Sequence, residues 1–89
     1  MKIVSWQNSF KKDIKRCTRR GYSIPKIQQV IAYLEYEQPL PASTRPHMLH
    51  GEWAGTMECH IAPDWLLLYE VNEHEIILVG TGTHADLFE

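Results

Sequence analysis

Glu58-Cys59-His60-Ile61-Ala62-Pro63-Asp64-Trp65-Leu66-Leu67-Leu68-Tyr69 holds two strand patterns joined by a turn. Upstream of the turn, apolar Trp53, Met57, Cys59 and Ile61 take odd positions, and polar Glu52, Thr56, Glu58 and His60 take even ones. A period of two is that of a half-buried strand. It predicts a strand over 52–61, with His60 beside Glu58 and Thr56 on the face opposite the core. Ala62-Pro63-Asp64 has turn chemistry, because proline pre-sets φ and aspartate bonds nearby backbone. Trp65–Val71 is apolar but for Glu70, as expected of a central strand covered on both faces. Asn72-Glu73-His74-Glu75 predicts a hairpin connection and Ile76–Val79 another buried strand. Gly80-Thr81-Gly82-Thr83 loosens that pattern before His84, and the chain ends Asp86-Leu87-Phe88-Glu89.

Ahead of these strands the period changes. Met1–Ser5 alternates and predicts a short first strand. Trp6, Phe10, Ile14 and Cys17 recur at steps of four, four and three, which is one stripe of a helix over 6–20. Ser5 is placed to cap that helix and Gly21 to end it. Lys11, Lys12, Lys15, Arg16 and Arg19 fall off the stripe, either as a solvated face or as a face that tracks phosphates. A second helix starts at Ser23-Ile24-Pro25 and shows Ile24, Ile27, Val30, Ile31 and Leu34 on one side. Pro39 and Pro41 close it. Residues 39–50 then read as an irregular connection carrying Arg45, His47 and His50. The result is one α+β domain over 1–89, with two N-terminal helices packed on one side of a small, mainly antiparallel sheet in the order β-α-α-β-β-β.

Eighty-nine residues support one core and exclude a two-domain enzyme or a barrel. A content of 44% hydrophobic and 22% charged residues excludes a disordered chain. No apolar run approaches the roughly 20 residues of a membrane span. The first six residues lack the apolar stretch and cleavage site of a signal peptide, so the expected compartment is the cytoplasm. Cys17 and Cys59 lie outside any Cys-x-x-Cys spacing and are expected as reduced, buried thiols. Eight of the nine Lys and Arg fall within residues 1–26 against Asp13 alone, while ten of the eleven acids follow. Such a segregated basic segment fits an anionic partner.

Four of the five histidines, His47, His50, His60 and His84, gather in the second half with Asp64. Their spacing lacks the tight pairs of a structural zinc site, so the metal reading is weak. None of Ser5, Ser9, Ser23 and Ser43 lies in a nucleophile elbow. Metal-free acid–base chemistry fits better, because imidazole titrates near pH 6.5. RNA suits it: a base removes the 2′-hydroxyl proton, an acid protonates the leaving 5′-oxygen, and a cation holds the phosphoryl charge. Taken singly, each residue has a plainer role. Asp64 serves a turn, Trp53 and Trp65 read first as core, and His74 sits in a hairpin.

The segments His47-Met48-Leu49-His50-Gly51-Glu52-Trp53, Glu58–Tyr69 and Thr81-Gly82-Thr83-His84-Ala85-Asp86-Leu87-Phe88, with Ser9–Lys15 as first helix, resemble the YafQ branch of the RelE-like toxins. These are the toxin halves of bacterial type II toxin–antitoxin pairs. The resemblance implies a RelE-like, microbial-ribonuclease-like fold. It also implies metal-independent cleavage of mRNA in the ribosomal A site by 2′-hydroxyl attack, with no cofactor. Carried over by position, it makes His47, His60, Asp64 and His84 catalytic. His84 would be the acid, Asp64 with His60 the base, and His47 a holder of phosphate charge. Arg45, His50, Trp65 and Phe88 would bind substrate. Gly80 stands where the resemblance leads one to expect an arginine, and Arg45 is the nearby replacement.

Two classes of function follow. One is an active ribosome-dependent endoribonuclease, with Lys11, Lys12, Lys15, Arg16 and Arg19 reaching ribosomal RNA. The other is a catalytically weak binding protein acting in antitoxin complex formation and operator autoregulation. Both imply a cognate antitoxin partner, with operator DNA reached only through that complex and no membrane association. An acidic antitoxin segment would suit the basic residues 1–26.

Overall fold

The structure is a computed structural model describing residues 1–89. Its sheet has five strands. β1 (Ile3–Trp6) is followed by helices α1 (Asn8–Arg19) and α2 (Ile24–Glu35). Then come β2 (His47–Met48), β3 (Met57–Ala62), β4 (Trp65–Val71), β5 (Glu75–Gly82) and a terminal helix α3 (His84–Phe88). The strand order is β1-β5-β4-β3-β2, antiparallel except for the parallel β1–β5 pair. The α+β reading and its main order therefore hold, with two additions, β2 and α3.

The first helix begins later than its apolar stripe predicts. Trp6 pairs with Leu78, and the Gln7 N–H donates to the Leu78 carbonyl, so the parallel ladder claims Trp6 for β1. Ser5 does not cap the helix, because its hydroxyl donates to Glu75 Oε2 at 2.8 Å. The expected end is present. Gly21 sits at φ 79°, its N–H donates to the Thr18 carbonyl, and the Tyr22 N–H donates to the Cys17 carbonyl. That pair of bonds satisfies carbonyls the helix leaves free, and the left-handed turn between them favours glycine. α2 stops before its prolines, at a left-handed Glu37 (φ 56°).

The core lies between the helices and the sheet. Phe10, Cys17, Ile27 and Val30 from α1 and α2 meet Cys59, Trp65, Leu67, Tyr69, Ile76 and Leu78. Leu66 and Leu68 are also fully buried, so β4 is covered on both faces as predicted. Both cysteines are free and buried. Burial raises the Cys17 thiol above its ordinary value and pushes Cys59 up to about 12. The thiolate is the reacting species, so both residues should resist iodoacetamide in the folded protein at neutral pH. Mass spectrometry should find both alkylated only after denaturation.

The predicted strand over 52–61 is shorter. Gly51–Trp53 forms a single 3-10 turn and β3 begins at Met57. Left-handed Gly51 (φ 67°) and Gly55 (φ 91°) bracket that turn, and the Leu49 N–H donates to the Thr56 carbonyl across it. Nor is the connection 39–50 wholly irregular, because its His47 and Met48 pair with Glu58 and Met57. β5 runs through Gly80 to Gly82 instead of loosening. A bulge at Val79 separates the pairs Tyr69–Leu78 and Leu68–Gly80. Register therefore lines up His47, Glu58, Leu68 and Gly80 across one face, with His60, Leu66 and Gly82 in the next row.

Candidate active site

The polar residues of β3 do not face open solvent. Glu58 is 5% exposed, because β2 brings His47 directly opposite it. Its Oε1 lies 3.3 Å from His47 Nε2 and 3.8 Å from His60 Nε2. His47 Nδ1 is 2.9 Å from the Arg45 carbonyl. A carbonyl only accepts, so Nδ1 carries the proton and the other ring nitrogen faces the carboxylate. One buried carboxylate oxygen thus lies within 3.8 Å of two imidazole rings. His60 Nδ1 is buried and has no hydrogen-bond partner in the protein.

The second pair comes from the β3–β4 turn and α3. His84 Nδ1 lies 2.9 Å from Asp64 Oδ1, and the His84 backbone N–H donates to the same oxygen at 3.2 Å. These hydrogen bonds hold the Asp64 carboxyl below its usual value. With Nδ1–H committed to the carboxylate, His84 Nε2 is left for a substrate. The His60 and His84 rings stand 6.3 Å apart. Phe88 leans on His84 at 6.2 Å and edge-on to Trp53 at 5.5 Å. The structure thus gathers His47, His60, Asp64, His84 and Phe88. It adds Glu58, which strand alternation alone assigned to a solvated face.

Arg45 adopts a left-handed backbone (φ 45°) and lines a cleft of about 580 Å³ with Ser43, Thr44, His60 and Pro63. His50 is exposed ahead of the 3-10 turn, and its carbonyl accepts the Trp53 N–H. Two expectations need correction. Trp65 is 5% exposed, packs against Tyr22 and donates to the Thr81 hydroxyl, so it supports the site from inside the core. Arg16 leaves the basic face, pairing with Asp13 at 3.2 Å and bonding the Thr81 carbonyl at 3.3 Å. Lys11, Lys12, Lys15 and Arg19 remain exposed on α1.

Gly80 is buried because its face is roofed. A Cβ there would stand 3.0 Å from Asp13 Oδ2 and 3.3 Å from Leu87 Cδ2. α3 was not anticipated, although its start carries a local signal: Thr83 and Asp86 form a reciprocal capping box there. Asp86 also meets Arg20, whose guanidinium holds its carboxyl far below the usual carboxylate range. A carboxyl depressed by folding stabilises fully above its unfolded value and loses that contribution as pH falls below it. The gap in thermal midpoint between wild type and Asp86→Asn should therefore be full near pH 6 and shrink as pH drops below about 4.

No group of three His, Cys, Asp or Glu side chains is arranged to hold a metal ion, and no helix is long and apolar enough to cross a membrane. The family of bacterial toxins of type II toxin–antitoxin systems called YafQ matches residues 2–89. The mRNA interferase toxin YafQ of Escherichia coli strain K12 is 33% identical over 86 residues, covering 96% of this chain and 94% of the relative. The E. coli DinJ–YafQ toxin–antitoxin complex has a similar chain at TM-score 0.92 and 31% identity, over 99% of this chain and 98% of that one. A metal-bound toxin from Helicobacter pylori superposes at TM-score 0.92 and 33% identity, over 99% and 100% of the two chains. With the fold, the histidine cluster and the whole-chain match in agreement, this protein belongs to the YafQ family of type II toxin–antitoxin toxins.

Proposed function

We propose that the protein is an mRNA interferase, a ribosome-dependent endoribonuclease that cuts A-site mRNA by metal-independent acid–base catalysis and is restrained by a cognate antitoxin. The observation that carries this reading is His84, anchored on Asp64 through Nδ1 and 6.3 Å from the His60 ring. The gap suits one phosphodiester held between two proton-transfer groups.

His84 in its imidazolium form donates from Nε2 to the leaving 5′-oxygen, and Asp64 stabilises that cation. His60 takes the 2′-hydroxyl proton. The base role shifts from Asp64 to His60 because the Asp64 carboxylate is already bonded to His84 and its basicity is lowered. His47 and Arg45 supply positive charge at the cleft, in place of the arginine replaced by Gly80. Phe88 flanks the base, and His50 lies at the rim.

The exposure of the site supports ribosome dependence. His84 and Asp64 are 55% and 64% exposed, so the protein alone does not enclose a substrate. Positioning contributes much of a catalytic effect, and a programmed A site supplies it. Exposed Lys11, Lys12, Lys15 and Arg19 are the ribosomal RNA contacts. An acidic antitoxin segment would cover the same basic surface, and operator DNA would be bound only by that complex. The test compares programmed ribosomes with naked RNA, each with chelator. Cleavage on ribosomes alone, undiminished by chelator, is expected. No cleavage by folded wild type would leave a binding role in its place.

A further inference from the structure

α3 is five residues long and has no fully buried side chain, yet it carries His84 and Phe88. It packs through Leu87 over Gly80 and Phe88 on Trp53, and its polar hold on the end of α1 centres on Asp86. Arg20 donates to it twice, Nη1 to Oδ2 at 2.6 Å and Nη2 to Oδ1 at 3.0 Å. Arg16 Nε lies 3.8 Å from Oδ2. The same Oδ2 accepts the Thr83 backbone N–H at 3.0 Å, and Thr83 Oγ1 accepts the Asp86 N–H at 3.1 Å. β5 leaves the room for this seam. A Cβ at Gly82 would stand 2.8 Å from Asp86 Oδ2 and 3.0 Å from Arg16 Nη2. None of the residues in these contacts lines the cleft shared by Arg45 and His60.

We propose that Arg20 and Asp86 are positioning residues for the reaction. Their ion pair docks α3 on α1 and so holds His84 on Asp64 and opposite His60. The inference rests on His84 being the acid of the proposed function. A guanidinium–carboxylate fork fixes orientation as well as distance, which a short helix without a buried side chain does not get from packing. His84 is two residues from Asp86, so any slip of α3 displaces the imidazole directly. Misplacement by about 1 Å can cost roughly 100-fold in rate. Arg20 therefore serves the active site and is not part of the RNA-contacting face of α1.

The experiment uses full-length Asp86→Asn, Arg20→Gln and Arg20→Lys, with cleavage on programmed ribosomes and imidazole NMR of the free protein. Expected is a fall in the saturated rate of about 10- to 100-fold for Asp86→Asn and Arg20→Gln, with half-saturation within about twofold and partial recovery in Arg20→Lys. The Asp86→Asn, Arg20→Gln double variant should lose little more than either single one, as residues acting as one unit do. The His84 ring signals should shift or broaden while those of His47 stay put. Unmoved His84 signals, or a rate equal to wild type, would overturn the proposal. So would a raised half-saturation at an unchanged rate, which would make Arg20 an RNA contact. If wild type itself cleaves nothing, the functional reading fails, and the His84 signals still decide whether Asp86 and Arg20 position the ring.

Discussion

His84→Gln slows ribosome-dependent mRNA cleavage by about 100- to 10,000-fold, the usual loss on removing a positioned proton donor. Glutamine preserves size and a hydrogen-bond donor but cannot release a proton to an alkoxide near neutral pH. Stability changes little. The His84–Asp64 pair is more than half exposed on both sides, and exposed ion pairs contribute little. The backbone N–H of residue 84 still donates to Asp64 in the variant. Single-turnover cleavage and thermal unfolding, measured on the same preparation, check both halves. Wild-type rates in a folded variant would remove His84 from the chemistry.

Glu58→Gln lowers the cleavage rate by about 10- to 100-fold, a loss of positioning rather than of a reacting group. Glu58 is 5% exposed, and the ring nitrogens facing it are Nε2 of His47 and Nε2 of His60. A buried carboxylate favours polar neighbours, and Glu58 has both rings within 3.8 Å, that of His60 on the cleft wall. Glutamine fills the volume without the charge, so the rings lose their shared anchor. Combined with His60→Gln the loss should be less than the product of the two, because they act through one arrangement. A Glu58→Gln rate within about twofold of wild type would show that β2 and β3 place the rings unaided.

Much of this protein is legible from periodicity. The alternation around Cys59 and the apolar run from Trp65 identify β3 and β4, because a strand buried on one or two faces must write its burial at a period of two or one. The stripe through Phe10, Ile14 and Cys17 identifies α1 for the same reason at a period near 3.6. Errors fall where long-range pairing overrides the local pattern. Trp6 belongs to the helical stripe, yet hydrogen bonds to β5 take it into a strand. His47 looks like loop until it meets Glu58 across β2 and β3.

The sequence by itself determined the α+β class, the helix and strand faces, the buried thiols and the identities of His47, His60, Asp64 and His84 as a candidate site. These depend on local spacing and on motifs readable residue by residue. Only the tertiary structure decided that Glu58 is buried between two histidines, that Trp65 supports the site from the core, that Arg16 turns inward, and that α3 is clamped to α1 through Asp86 and Arg20. Each depends on which residues from distant parts of the chain share a face. Register and helix docking settle that by burying or pairing a group whose local pattern marks it as solvated.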